Sequence, residues 1–330
     1  MSEEKGHLFG FCHEVLVGAN LWNDAVQKII PAIARQGYSA VEIGMPFVRP
    51  LKPPALISRD ERHLIRSTAR DCGVALYTHW IASMDPQGAL VDELGFYPQI
   101  AGVPLERDGT PATARPDVYD DAIQKRTLDF MSQHFDFCDE IGALACTFGS
   151  PKARNRPPGY KESEHNERAM KFWYEVGDML NQFKVTFCLE PLAAFRGSNG
   201  ETNHVTTAEE ARCIVDGAGK KAKSGRFRLT LDCKAMASEQ TSAAEIIAQS
   251  GGYVGHFHLN DPTDGSRRAP GFGSYDFVPG FKALRGIDYR GAVSVEPFGR
   301  EPSGAEIMRK SYEAVTRAAE GAGFPLLTLG

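Results

Sequence analysis

Four residues able to bind a cation each close a short apolar run in the later part of the chain. VTFCLE ends at Glu190, FRLTLD at Asp232, VGHFH at His258 and AVSVE at Glu296. A charge placed at the end of such a run is costly unless a cation or hydrogen bonds answer it. Three carboxylates and one imidazole make a mixed oxygen and nitrogen donor set. It suits one divalent ion, Mn²⁺ first with Mg²⁺ and Co²⁺ as alternatives, and leaves room for two oxygens of a bound molecule. A salt-bridged structural mouth is the competing reading of the same four residues.

Convergence of these residues requires elements that aim four strand ends at one place. Eight apolar runs rich in β-branched or aromatic residues recur: HLFGFC (7–12), SAVEI (39–43), GVALYTHW (73–80), LACTFG (144–149), VTFCLE (185–190), FRLTLD (227–232), VGHFHL (254–259) and AVSVE (292–296). Helical signals lie between them. Val26, Ile29, Ile30 and Ile33 repeat at helical spacing and stop at Gly37, with Pro31 expected to kink that helix. Thr207 and Glu210 have capping-box spacing before Ala211, Ile214 and Val215. Further helices are expected at about 58–72, 117–141, 165–183, 242–250 and 304–321.

Strands separated by helices pair in parallel, and about 250 residues are enough for a closed (β/α)₈ TIM barrel. The candidate ligands are 42, 26 and 38 residues apart, bracketing the roughly 31 of one βα unit in such a barrel. They therefore fall on four successive strands. An open doubly wound sheet is the alternative, weakened by the lack of G-x-G-x-x-G after the first strand. No low-complexity linker divides residues 1–330, so one domain is expected, with a long Gly- and Pro-rich insertion at about 84–116. Over a barrel mouth it would be a lid or a subunit contact; a passive insertion is the other reading.

Strand periodicity separates the two histidines of GHFHLND. Cys188, Thr230, His256 and Ser294 each stand two residues before a candidate ligand, on the same inward face and one layer deeper. His256 would there orient a ligand or a water, or serve structure alone. His13 with Glu14, and His79 with Trp80, follow the first strand and end the third, within reach of the same mouth. Glu42 on the second strand reads as a structural hydrogen-bond acceptor.

Composition narrows the partners. With 42% hydrophobic and 24% charged residues the chain is ordinary globular material. A formal net charge of −5 gives no basic stripe for nucleic acid. No apolar run approaches a membrane span, and the acidic MSEEKGHLFGFC start is unlike a signal peptide, so a cytoplasmic protein is expected. Seven cysteines lack CxxC or finger spacing and read as mostly buried thiols.

Glu190 in CLEP, Asp232 in LTLDCKAM, His258 in GHFHLND and Glu296 in SVEPF resemble the metal tetrad of the sugar phosphate isomerase/epimerase family, with its xylose-isomerase-like barrel. That family includes ketose 3-epimerases, inosose-processing enzymes and hydroxypyruvate isomerase. GYSAVEI, FGSPKAR and TNHVTTAEEA extend the likeness through most of the chain. The resemblance implies that Glu190 and Glu296 both ligate the metal and carry protons. A metal bridging a carbonyl and the adjacent hydroxyl stabilises an enediolate, and two carboxylates on opposite faces take and return the proton.

One position departs from the ketose 3-epimerases, which usually have a substrate-contacting histidine three residues after the ligand aspartate; here it is Ala235. Lys234 would lie nearer the mouth on the face of Asp232 if the strand continues, as a substrate contact or a solvated rim lysine. Arg267 resembles the family's substrate-binding arginine, with Arg268 an equal candidate. The expected activity is that of an isomerase or epimerase on a small-molecule sugar or keto-sugar. A lyase of the same fold, either a dehydratase or a 3-keto-glycoside deglycosidase, is close behind. An abasic-site endonuclease and a non-catalytic sugar-binding barrel are more remote. No nucleic-acid or membrane partner is expected, and a homo-oligomer is compatible with the sequence.

Overall fold

The computed structural model describes residues 6–12, 25–45, 57–80, 98–106, 112, 117–194, 200, 202–223, 225–265, 268–297 and 302–329. Eight parallel strands close on themselves: β1 (His7–Cys12), β2 (Ala40–Met45), β3 (Ala75–Trp80), β4 (Ala145–Phe148), β5 (Thr186–Leu189), β6 (Phe227–Asp232), β7 (Val254–Leu259) and β8 (Ala292–Val295). Each pairs with its sequence neighbour, and β1 pairs with both β2 and β8, so the ring has no open edge. The expected (β/α)₈ barrel is what the chain builds, and the open doubly wound sheet is excluded.

The flanking helices are α1 (Ile30–Arg35), α2 (Arg59–Asp71), α3 (Asp121–Ile141), α4 (Glu162–Met179), α5 (Ala208–Gly219), α6 (Cys233–Ala237), α7 (Ala243–Ser250), α8 (Val278–Gly286) and α9 (Gly304–Ala322). Capping boxes start three of them, at Ser58 with Glu61, Thr207 with Glu210 and Ser242 with Glu245, each cap worth about 1 kcal/mol. Left-handed Gly142 and Gly323 end α3 and α9.

Differences from the sequence reading are local. Pro31 does not stand inside one regular helix: a π-helical turn, Ala25–Ile29, hands over to α1, and Pro31 sits in the first turn of α1, where its missing N–H is not needed. α3 begins at Asp121 because the Asp120 side chain caps it. α4 starts three residues early, and its end tightens into a 3-10 turn at Leu180–Gln182. α8 escaped because Pro279 and Gly280 interrupt a segment of only nine residues. A short β9 (Leu326–Leu327) adds to the start of β1, pairing His7 with Leu326 and Leu8 with Leu327.

Strand alternation sends two sets of side chains to two places. Phe11, Val41, Phe148, Phe187, Leu231, Phe257 and Val295 face outward into the main apolar core against the helices, each burial worth about 1.5–3 kcal/mol. Inside the ring, the lower layer is small and mostly apolar, with Ala40, Tyr77, Ala145, Cys188 and Ala292. Above it come Glu42, Thr147, Thr230, His256 and Ser294, all buried. The interior thus turns polar toward the carboxyl ends of the strands, where TIM-barrel sites form.

Of residues 84–116, where an insertion is expected, 98–106 and 112 are described; Ile100 N–H donates to the Ala153 carbonyl, and Ala101 and Val103 pack on Tyr160. None of the seven cysteines is in a disulfide, and five are buried, as expected; Cys72 is half-buried and Cys213 exposed. Among the described residues, no helix is long and apolar enough to cross a membrane.

Candidate metal centre

The barrel delivers the four strand-end residues to one point. Asp232 ends β6 and is paired across the sheet with His258 on β7. Glu190 and Glu296 lie one residue past β5 and β8, and the ladder still holds them: their amides donate to the carbonyls of Phe148 and Leu259. One donor atom from each of Glu190, Asp232, His258 and Glu296 lies within 4.8 Å of the others. All four residues are between 0% and 4% exposed.

Two shorter contacts define the cluster. His258 Nδ1 is 2.9 Å from Glu190 Oε1 and 3.5 Å from Glu296 Oε2. Asp232 is held at both oxygens: Oδ1 accepts the Ala235 amide at 2.9 Å, and Oδ2 accepts Asn260 Nδ2. The Glu190 carboxylate lies across the β4 backbone, where Gly149 leaves space for it.

Beneath the cluster Glu42 joins three imidazoles. Its Oε1 is 2.9 Å from His258 Nε2 and 3.1 Å from His79 Nδ1, and its Oε2 is 2.9 Å from His256 Nε2. Burial alone would raise the Glu42 carboxyl, but the charges and hydrogen bonds of His256 and His258 hold it well below the usual carboxylate range. Burial likewise would lower His258, yet Glu42, Glu296 and Glu190 hold it well above the ordinary histidine value. For His256, burial wins over Glu42, and its value is lowered.

The residues fit a divalent cation on their own chemistry. Three carboxylates are packed out of water with one imidazole among them, an excess of negative charge that a cation bound at their shared donor atoms would balance. Glu190, Asp232, His258 and Glu296 would hold it.

The other candidates divide. His256 is one layer below the cluster, at the height its spacing predicts; it hydrogen-bonds Glu42, and its ring meets the His258 ring edge-on at 5.0 Å between centroids. His79 faces inward, bonds Glu42 and meets the His258 ring edge-on at 6.0 Å between centroids. Trp80 ends β3, and its side chain lies outside the described residues, as do His13, Glu14 and Arg267. The placement of Lys234 is corrected: the strand stops at Asp232 and α6 begins at Cys233, because the Asp232 carboxylate caps the turn. Lys234 is half-buried on that helix, with Nζ beside Gly265. Arg268 is turned to Asp264 in an i,i+4 ion pair.

Two residues escaped the sequence reading. Asn260 is fully buried and links the Asp232 carboxylate to the Glu296 carbonyl at 3.4 Å. Its signal was its place two residues after His258. Arg154, in FGSPKAR, is also fully buried and donates Nη2 to the Glu190 carbonyl. Burial depresses its guanidinium to about 9, with Glu190 opposing the shift.

The chain is thus a TIM-barrel protein: a closed parallel barrel with an acidic, imidazole-bearing cluster at its carboxyl-end mouth, the end where sites of this fold form. The family model for the xylose isomerase-like TIM barrel matches residues 30–318. The chain belongs to that family, the sugar isomerase and epimerase group its motifs resemble. It is 32% identical over 164 residues to a D-psicose 3-epimerase of Enterocloster bolteae, a match spanning 47% of this chain and 50% of that enzyme. With a D-psicose 3-epimerase of Agrobacterium fabrum it shares 34% over 124 residues, 37% of this chain and 38% of that one. The chain thus spans half or less of the length of these two relatives. A probable ketose 3-epimerase of Synechocystis sp. is 25% identical over 239 residues, 69% of this chain and 75% of its own. Among solved structures, a D-allulose 3-epimerase from Methylomonas sp. shares the fold with a TM-score of 0.70 at 18% identity, covering 96% of this chain and 100% of that one.

Proposed function

We propose that the protein is a divalent-metal-dependent isomerase or epimerase of a sugar or keto-sugar, with Glu190, Asp232, His258 and Glu296 as metal ligands. The observation that carries this reading is the convergence of those four buried side chains at the mouth of the barrel. The epimerase names of the relatives support it. A divalent ion, Mn²⁺ first, would supply stabilisation for negative charge developing on the substrate's carbonyl oxygen.

The chain's own residues do the rest. Glu190 and Glu296 come from strands on different sides of the mouth, and in this reading one takes the proton next to the carbonyl and the other returns it. Asp232, hydrogen-bonded at both oxygens, is held as a ligand rather than a base. Asn260 keeps Asp232 and the Glu296 main chain in register. His79 and Trp80 at the end of β3, Lys234 on α6, and His13 and Arg267, which follow β1 and β7 in sequence, are the proposed substrate contacts. The whole chain acts as one cytoplasmic barrel domain, with 84–116 as its insertion.

Elimination instead of proton return is the second reading, favoured by Ala235. That residue is buried and offers Asp232 only its amide, so no side chain there can contact a free ketose. The test is NMR of the Mn²⁺-loaded protein with ketoses, inososes and 3-keto-glycosides in D₂O. Deuterium entering recovered substrate marks isomerisation, and release of water or an aglycone marks elimination. Absence of both exchange and elimination, together with no metal bound by elemental analysis, would sink the enzyme reading.

A further inference from the structure

We infer that Glu42 is a positioning residue for the metal centre: it anchors Nε2 of His258 so that Nδ1 is turned to Glu190 and Glu296. This rests on the metal reading above, and it gives Glu42 a role beyond that of a structural acceptor. The geometry is specific. The two nitrogens of one imidazole face two different carboxylate groups, Nε2 toward Glu42 at 2.9 Å and Nδ1 toward Glu190 at 2.9 Å.

An ionised carboxylate only accepts hydrogen bonds, so the nitrogen facing Glu42 must carry a proton. His258 is thereby fixed as the Nε2–H form whenever Nδ1 gives its lone pair to a metal. The same rule fixes His256 as Nε2–H and His79 as Nδ1–H, both donating to Glu42. A ligand histidine whose other N–H is held by a carboxylate keeps its ring orientation and gains basicity. Glu42 reaches His258 from β2, across the barrel from β7, so the orientation is imposed from outside the ligand-bearing strands.

His256 sharpens the picture. It stacks on Tyr77 with ring centroids 4.9 Å apart and occupies Glu42 Oε2, which fixes the carboxylate plane and leaves Oε1 to His258 and His79. His256 therefore acts on the centre through its hydrogen bond to Glu42, while its ring also meets the His258 ring edge-on at 5.0 Å between centroids.

Glu42→Gln keeps the size of the side chain but leaves one acceptor oxygen and sets an NH₂ group against the imidazole N–H groups. Mn²⁺ titration calorimetry should show affinity weakened about 10- to 100-fold against the parent, with far-UV circular dichroism unchanged. A merely structural acceptor would lower thermal stability in chelator and leave Mn²⁺ affinity unmoved, and that result overturns the inference. Should E42Q fail to fold, the parent protein decides. In Zn²⁺-loaded, ¹⁵N-histidine-labelled protein, the His258 signal, assigned by its loss in H258Q, must show metal on Nδ1 and a hydrogen-bonded proton on Nε2. Metal on Nε2 overturns it. A parent protein that binds neither Mn²⁺ nor Zn²⁺ removes the metal reading itself, whereas normal parent binding with unchanged E42Q affinity removes only the role of Glu42.

Discussion

A Cβ built on Gly149 would lie 1.8 Å from Glu190 Oε2. The end of β4 is therefore bare because the carboxylate from β5 occupies the place of its side chain. Real Cβ atoms never approach so closely, so Gly149→Ala must displace Glu190. We expect G149A to fold with unchanged circular dichroism and to lose Mn²⁺ affinity by about 10-fold or more, since outer displacements of about an ångström already degrade such sites. Calorimetric titration checks it; parent-like affinity would mean that Glu190 is not a ligand.

His258 and His256 should separate on substitution. H258Q removes a donor from the cluster, and bound Mn²⁺ per chain after dialysis should fall to background. H256Q leaves the 2.9 Å bond between His258 and Glu42 available, so metal should remain, bound more weakly. Elemental analysis of both variants is sufficient, and equal metal loss in both would contradict the layering.

Glu296→Gln keeps an oxygen donor but cannot accept a proton as a carboxylate does. Its kcat should drop by about 10²- to 10⁴-fold, the usual contribution of a positioned acid or base, with KM moving far less. Deuterium exchange in D₂O should slow in parallel. A Glu296→Gln protein that turns over every substrate at the parent rate would remove Glu296 from proton transfer.

Acid should weaken the fold through His165, away from the cluster. This buried side chain on α4 has its Nε2 3.3 Å from the Arg154 carbonyl. Burial lowers it from 6.5 to about 4; the carbonyl opposes the shift, and Arg156 and Arg168 reinforce it. Its folded value lies below its unfolded one, so the unfolded chain binds the extra proton. The contribution is full above pH 6.5 and is lost as pH falls toward 4, by at most about 3.5 kcal/mol at about 1.4 kcal/mol per unit. Urea unfolding of the parent and H165N between about pH 7 and about pH 4 should show a shallower decline in the variant.

The barrel and the four converging residues were legible because both follow from period and position: apolar runs of strand length, each closed by a polar residue, at βα spacing. What was not legible depends on contacts between distant segments. Glu42 could be read as an acceptor, but its partners His256 and His258 stand 214 and 216 positions away. Arg154 gave no sign that its guanidinium would reach the Glu190 carbonyl. Lys234 was misplaced because a carboxylate capable of ligating a metal is equally capable of capping a helix, and Asp232 does the second where a continuing strand was assumed.

The closure of β1 on β8 joins Phe9 to Val293 and Phe11 to Val295. Chains leave the ribosome from their N-terminal end, so Glu42 is made early and waits for His258, and the ring has no seam until residues beyond 292 emerge. A nascent chain halted at that stage already carries Glu190, Asp232 and His258 but lacks Glu296 and the last strand. On the proposed metal reading, tight capture of a cation would be withheld until synthesis has passed the eighth strand, and metal loading would be a molecular sign that the barrel has been finished.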